Sequence, residues 1–195
     1  SVEQYALKYE EQETVSMPLA KVLFAEHVPW WYDRKNSADF SSLYWDRYKN
    51  YLRKNVRLSD SVLNTIDDDT DRIMDGIQDP EKAKGDKRGL VMGQVQSGKT
   101  GNYIALMNKA ADAGYRIFIV ITGTTNQLRE QTHIRIEEGF IGMNTITKKD
   151  VGITAAQNPY PQMADLKKHL YPNYLTTRES DFKTAVAKNQ GITVS

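Results

Sequence analysis

Apolar and polar positions alternate along this chain in blocks that each point to an element. In residues 41–52, Leu43, Tyr44, Trp45, Tyr48, Tyr51 and Leu52 recur at steps of three and four, which places them on one side of a helix. That aromatic stripe reads as core packing, because aromatic side chains dominate burial. A second helix is expected from a cap at Ser59 or Asp60, with Val62, Leu63, Ile66, Ile73 and Ile77 turned inward, and it ends before Pro80. Its acidic run, Asp67, Asp68, Asp69 and Asp71, reads as a solvated helix face. Consecutive helical residues point to different sides, so the four do not converge easily on a metal. Residues 1–40 carry little periodicity beyond the apolar Val22 to Phe24 and the cluster Pro29, Trp30, Trp31 and Tyr32.

The polar stretch Glu81 to Lys87, which contains Gly85, reads as a domain boundary. It divides a helical N-terminal region, residues 1–85, from a second unit, residues 86–195. There the texture changes. Leu90, Val91 and Met92 form a short apolar run, a helix is expected over about 99–113 with a left-handed cap at Gly114, and Ile117 to Ile121 is uninterruptedly apolar. Such a run suits a strand buried on both faces of a parallel sheet. Strand, loop, helix and strand in that order predict a right-handed βαβ unit. The expected fold class is therefore α/β, a three-layer domain with a mostly parallel sheet behind the helical region. The loop Thr122 to Asn126 leads into a helix that uses Leu128, Thr132 and Ile136 and closes near Gly139, with Thr124 and Gln127 as its capping box. Beyond Gly142 the chain is turn-rich, with Pro159, Pro161 and Pro172, one short helix around Phe182, Ala185 and Val186, and the start of a strand at Ile192 to Val194.

Composition narrows the chemistry. No cysteine is present, which removes disulfides, cysteine metal sites and cysteine nucleophiles and makes a cytoplasmic setting the default. No apolar run approaches the roughly 20 residues of a membrane span, and residues 1–20 show no signal-peptide pattern. The net charge of +1 neither favours nor opposes nucleic acid, so such a partner must be sought in a local site. His27, His133 and His169 stand in no metal-ligand spacing, and no G-x-S-x-G elbow supports a serine hydrolase.

One motif carries chemistry. Gly93, Gln94, Val95, Gln96, Ser97, Gly98, Lys99 and Thr100 match the P-loop pattern G-x-x-x-x-G-K-[ST] at every fixed position. The glycines allow successive amide N–H groups to face inward as a nest for phosphate oxygens, at the positive end of the helix that follows. Lys99 reaches the terminal phosphates as a point charge, and the Thr100 hydroxyl is the expected Mg²⁺ ligand beside the nucleotide. A hydrolase also needs an acidic residue at the end of another buried strand. No strand-like run in residues 101–195 ends in Asp or Glu, so the chain is expected to be a fragment that stops inside its nucleotide-binding domain.

The stretch GLVMGQVQSGKTGNYIALMNKAADAGYRIFIVITGTTNQLREQTHIRIEEGFIG, ending at Gly142, resembles the Z-one domain family of large bacterial, endonuclease-like proteins. The likeness runs from Arg88, extends more weakly over Tyr44 to Pro80, and is most specific at the P-loop and at Leu128 to Thr132. The family is similar to superfamily two helicases, whose motor is a pair of RecA-like domains acting on DNA, and it is associated with bacterial defence and restriction modules. What the resemblance implies is an ATP site at Lys99 and Thr100, with Lys99 as the catalytic cation, and a nucleic-acid contact around Gly123, Thr124, Asn126 and Arg129. The family's acidic Asp-Asp-Glu-Ala-Asp type motif is missing, and no nuclease residues are assignable.

The expected function is thus the ATP- and Mg²⁺-binding front end of a helicase-like, DNA-acting ATPase, with partner subunits of a defence module as further partners. The alternatives are a nucleotide sensor or scaffold without turnover, and a P-loop small-molecule kinase.

Overall fold

A computed structural model describes residues 27–82, 85, 87–92, 99–123, 125–154, 172–180, 182 and 184–189. Among them the ordered elements are helices: α1 (Trp31–Lys35), α2 (Leu43–Tyr51), α3 (Asp60–Gly76), α4 (Lys99–Asp112), α5 (Asn126–Ile136) and α6 (Thr184–Asn189). Both α2 and α5 run on into a single wider, π-helical turn, Leu52–Val56 and Glu137–Ile141.

Among the described residues the expected parallel sheet is not there. The described residues hold only two isolated antiparallel bridges, Met143 with Asp150 and Thr177 with Ser180, and no strand. Residues 90–92 and 117–121 are non-helical, and among the described residues they have no partner strand. Leu90, Met92, Ile119 and Ile121 are 83, 85, 82 and 91% exposed. An apolar run becomes a strand only when neighbours supply hydrogen bonds and cover, and the periodicity of 117–121 could not report whether those neighbours were present. Only Phe118 turns inward, edge-on to Phe140 at 5.1 Å between ring centres. The anticipated α/β layering is therefore replaced by packing of helix on helix.

Helix α3 starts where a cap says it should: the Ser59 side chain accepts from the Val62 amide. Helix α4 closes into Gly114, whose φ of +104° is costly for any other residue. The inward faces of these two helices meet α2 in one core of Trp45, Tyr48, Leu52, Leu63, Ile66, Ile104, Ala105 and Ile153. A second core joins Trp30, Trp31 and Met74 to Ala110 and Ala113, and a third seats Phe140 and Ile141 against Met107. Helices before residue 80 and after residue 99 thus share their buried surface.

The acidic run corrects a second expectation. Asp68 is exposed, but Asp67, Asp71 and Asp75 stand four residues apart on one side of α3, and that side faces inward. Lys109 of α4, only 1% exposed, reaches between them, with its Nζ 2.5 Å from Asp67 Oδ1 and 2.6 Å from Asp71 Oδ1. Lys49 adds a contact to Asp67 at 2.9 Å, Lys35 one to Asp71 at 2.6 Å, and the Trp31 indole N–H donates to Asp71 at 2.6 Å. The Lys109 ammonium also lies 4.9 Å from the centre of the Trp45 ring.

Burial alone would raise the Asp67 carboxyl, but the Lys109 charge and the bonds from Lys109 and Lys49 outweigh it and hold the group well below the usual range. Burial lowers Lys109 while the two carboxylates oppose that loss, and with three oxygens within 2.7 Å the ammonium is the form this site is built for. Among the described residues no set of acidic and histidine side chains is arranged to hold a metal, so these carboxylates serve lysines.

Two helices take their N-terminal acceptors from a different helix. Ser42 and Trp30, the residues that precede α2 and α1, make no side-chain cap of their own. Asp112, at the end of α4, accepts from the Tyr44 and Trp45 amides at 2.8 and 2.9 Å. Asp75, on α3, accepts from the Trp30 and Trp31 amides at 2.9 and 3.1 Å, and His27 Nε2 lies 3.2 Å from its other oxygen. Each carboxylate meets free amides at the positive end of a helix.

Removing one member of a buried ion network leaves the remaining charges uncompensated. Lys109→Ala is expected to lower unfolding stability by about 3 kcal/mol, read from urea midpoints, whereas a loss below about 1 kcal/mol would show the network to be dispensable.

Candidate functional site

The first six motif residues, Gly93, Gln94, Val95, Gln96, Ser97 and Gly98, lie outside the described residues, as does Thr124. Lys99 and Thr100 are the first two residues of α4, and Thr100 is exposed. The opening turn of any helix presents amide N–H groups without intrahelical acceptors, so this end of α4 offers donors and a positive potential beside the Thr100 hydroxyl. Further along, Ile104, Ala105, Met107 and Ala110 are buried, Lys109 is locked to α3, and Asp112 to α2. The motif's lysine and threonine thus stand at the end of a helix anchored from its second turn onward.

Helix α5 packs its C-terminal end against α4. A side chain at Gly139 would come within 2.8 Å of both Ile104 and Tyr48, and the Gly139 carbonyl accepts from Asn108 Nδ2 at 3.0 Å. Only a glycine allows that approach. Thr125, not the anticipated Thr124, forms the side-chain cap of this helix by accepting from the Leu128 amide at 3.3 Å.

The residues expected to grip nucleic acid are not arranged alike. Gly123 and Asn126 are exposed at the start of α5. Arg129 instead turns its fork onto the chain, donating from Nη1 to the Arg178 carbonyl at 2.9 Å and from Nη2 to the Thr177 carbonyl at 3.1 Å. Carbonyl oxygens leave its positive charge intact but occupy N–H donors of the fork that a phosphate would use.

A cluster that the periodicity did not flag sits one turn further on. Glu137 is fully buried; its Oε1 accepts from the Thr145 amide and hydroxyl at 2.7 and 2.6 Å. Its Oε2 takes both Nε and Nη2 of Arg178, the former at 2.9 Å. His133 Nε2 lies 3.2 Å from the Thr145 hydroxyl and 3.5 Å from Glu137 Oε1. Burial would raise Glu137, but the hydrogen bonds from Arg178 and Thr145 prevail and hold it below the ordinary carboxylate value. Burial pushes His133 down, Arg129 and Arg178 push it further, and Glu137 opposes them. The one available signal was the four-residue spacing of His133 and Glu137, which puts them on one side of a helix.

Comparison with protein-family models, curated proteins and solved structures finds no match to this chain. Among the described residues no helix is long and apolar enough to cross a membrane.

Because the folded state holds Glu137 below its unfolded value, the stability it contributes is present above about pH 4.5 and is lost as pH falls through the folded value. Glu137→Gln is expected to flatten the acid limb of the stability curve below about pH 4.5. It should also speed tryptic cleavage after Arg178, because that arginine loses its carboxylate; unchanged cleavage and an unchanged acid limb would remove the cluster's holding role.

Proposed function

We propose that the chain binds ATP with Mg²⁺ through Gly93 to Thr100, and that it serves a helicase-like, DNA-acting ATPase of the kind its resemblance to the Z-one domain family suggests. The observation that carries this reading is the continuity of the complete eight-residue motif with α4, whose first residue is Lys99 and whose second is the exposed Thr100. The residues fit the group: a positive helix end, a lysine and an exposed hydroxyl are the parts a polyphosphate and its cation require.

Lys99 places its ammonium against the terminal phosphates and offsets the charge that develops there on transfer. Thr100 would offer its hydroxyl oxygen to the cation that accompanies the nucleotide. Mg²⁺, when bound, supplies charge neutralisation at the leaving oxygens. The opening amides of α4 hold phosphate oxygens with dipoles already fixed by the helix, so they need no reorganisation. DNA enters this reading through Gly123 and Asn126 at the exposed start of α5.

Calorimetric titration with Mg²⁺ and ATP tests the site. Binding is expected for the chain, and Lys99→Ala is expected to weaken it about 10- to 100-fold, the equivalent of one charge-assisted hydrogen bond. Thr100→Ala should leave metal-free binding nearly unchanged while removing the gain from Mg²⁺. Equal affinities for all three proteins would sink the nucleotide reading, and ATP turnover by the complete protein that ignores added DNA would sink the motor assignment.

A further inference from the structure

We infer that helix α4 is a coupling rod: nucleotide held at its first turn stabilises the helices of residues 27–82, and loosening those helices weakens nucleotide binding. This rests on the nucleotide reading above and adds to it a regulated partner within the same chain.

The inference begins with where the anchors lie. The motif residues Lys99 and Thr100 are at one end of α4. The anchors are at the other: Lys109 between Asp67 and Asp71 of α3, and Asp112 on the Tyr44 and Trp45 amides of α2. A helix rises 1.5 Å per residue, so Asp112 stands about 20 Å from Lys99 along the axis, beyond any direct contact with a bound phosphate.

Between the ends, Ile104, Ala105 and Ala110 are packed against residues of α2, α3 and the segment that carries Trp30 and Trp31. Moving α4 away from α3 would leave two carboxylates and a lysine buried without each other, and moving it from α2 would strand two amides at a helix end. The least costly opening of α4 is therefore one that opens α2 and α3 with it. A ligand that binds only the closed form stabilises everything that opens together, and linkage requires the reverse effect to be equal in size.

Hydrogen exchange on the whole chain reads this directly, with a non-hydrolysable ATP analogue and Mg²⁺ as the probe and calorimetry as the independent measure of binding. At 100 times the dissociation constant, amides of 60–76 and 43–51 are expected to exchange about 100-fold more slowly, in step with those of 99–112. Asp112→Ala leaves Lys99, Thr100 and the Lys109 anchor in place and is expected to abolish the slowing in 43–51 while 60–76 keeps it. In the same variant the analogue should bind more weakly, although the substitution is distant from the phosphates.

Slowing confined to 99–112, with binding confirmed by calorimetry, overturns the coupling and leaves the nucleotide site standing. Absence of binding overturns both. The wild-type comparison alone decides between these outcomes should Asp112→Ala fail to fold.

Discussion

A single ammonium group organises the described part of this protein. Lys109 is buried between Asp67 and Asp71, and an isolated charge of either sign at that depth would be prohibitively costly. The three groups are tolerated only together, which makes the spacing of α3 and α4 a narrow choice rather than a soft one. Lys35 and Lys49 then satisfy the oxygens that Lys109 leaves free, the Trp31 indole shares Asp71 Oδ1 with Lys109, and α1 and α2 are thereby brought to the same place. Apolar contacts supply the area of the cores, but they are non-directional, and the ion network supplies the register.

The crossed capping of α1 and α2 follows from the same geometry. Once α3 and α4 are fixed, Asp75 and Asp112 meet the exposed amides of two helices that have no effective cap of their own. Local sequence leaves those helix starts incomplete, and tertiary contact completes them. The Glu137 cluster works alike on the other side of α4, where one buried carboxylate gathers Thr145 and Arg178, and Arg129 closes on the neighbouring carbonyls.

These anchors grip α4 toward its C-terminal end, away from its start. Thr100, in the first turn of that helix, is exposed, and the core begins at Ile104. A rigid shaft with a free, positively polarised end suits a group that must meet phosphate oxygens at fixed distance. Arg129 shows the opposite economy, since a cation that reads as a nucleic-acid contact is engaged in holding residues 177 and 178.

By itself the sequence determined what depends on neighbours three or four residues away. Helix α3 begins at the Ser59 cap, α4 closes into the left-handed Gly114, and the stripe of Leu43 to Leu52 falls where its period puts it, because helical hydrogen bonds and caps are local. The Gly93 to Thr100 motif is legible for the same reason. Three features were decided only in three dimensions. Residues 117–121 have the composition of a strand, but strand formation needs partners remote in sequence, and the described residues provide none. The acidic run looked solvated because its countercharges, Lys35, Lys49 and Lys109, are 18 or more residues away, and no local pattern reveals which lysine will be buried. The partners of Arg129 were not legible because its acceptors are backbone carbonyls, which every residue carries and which no sequence distinguishes.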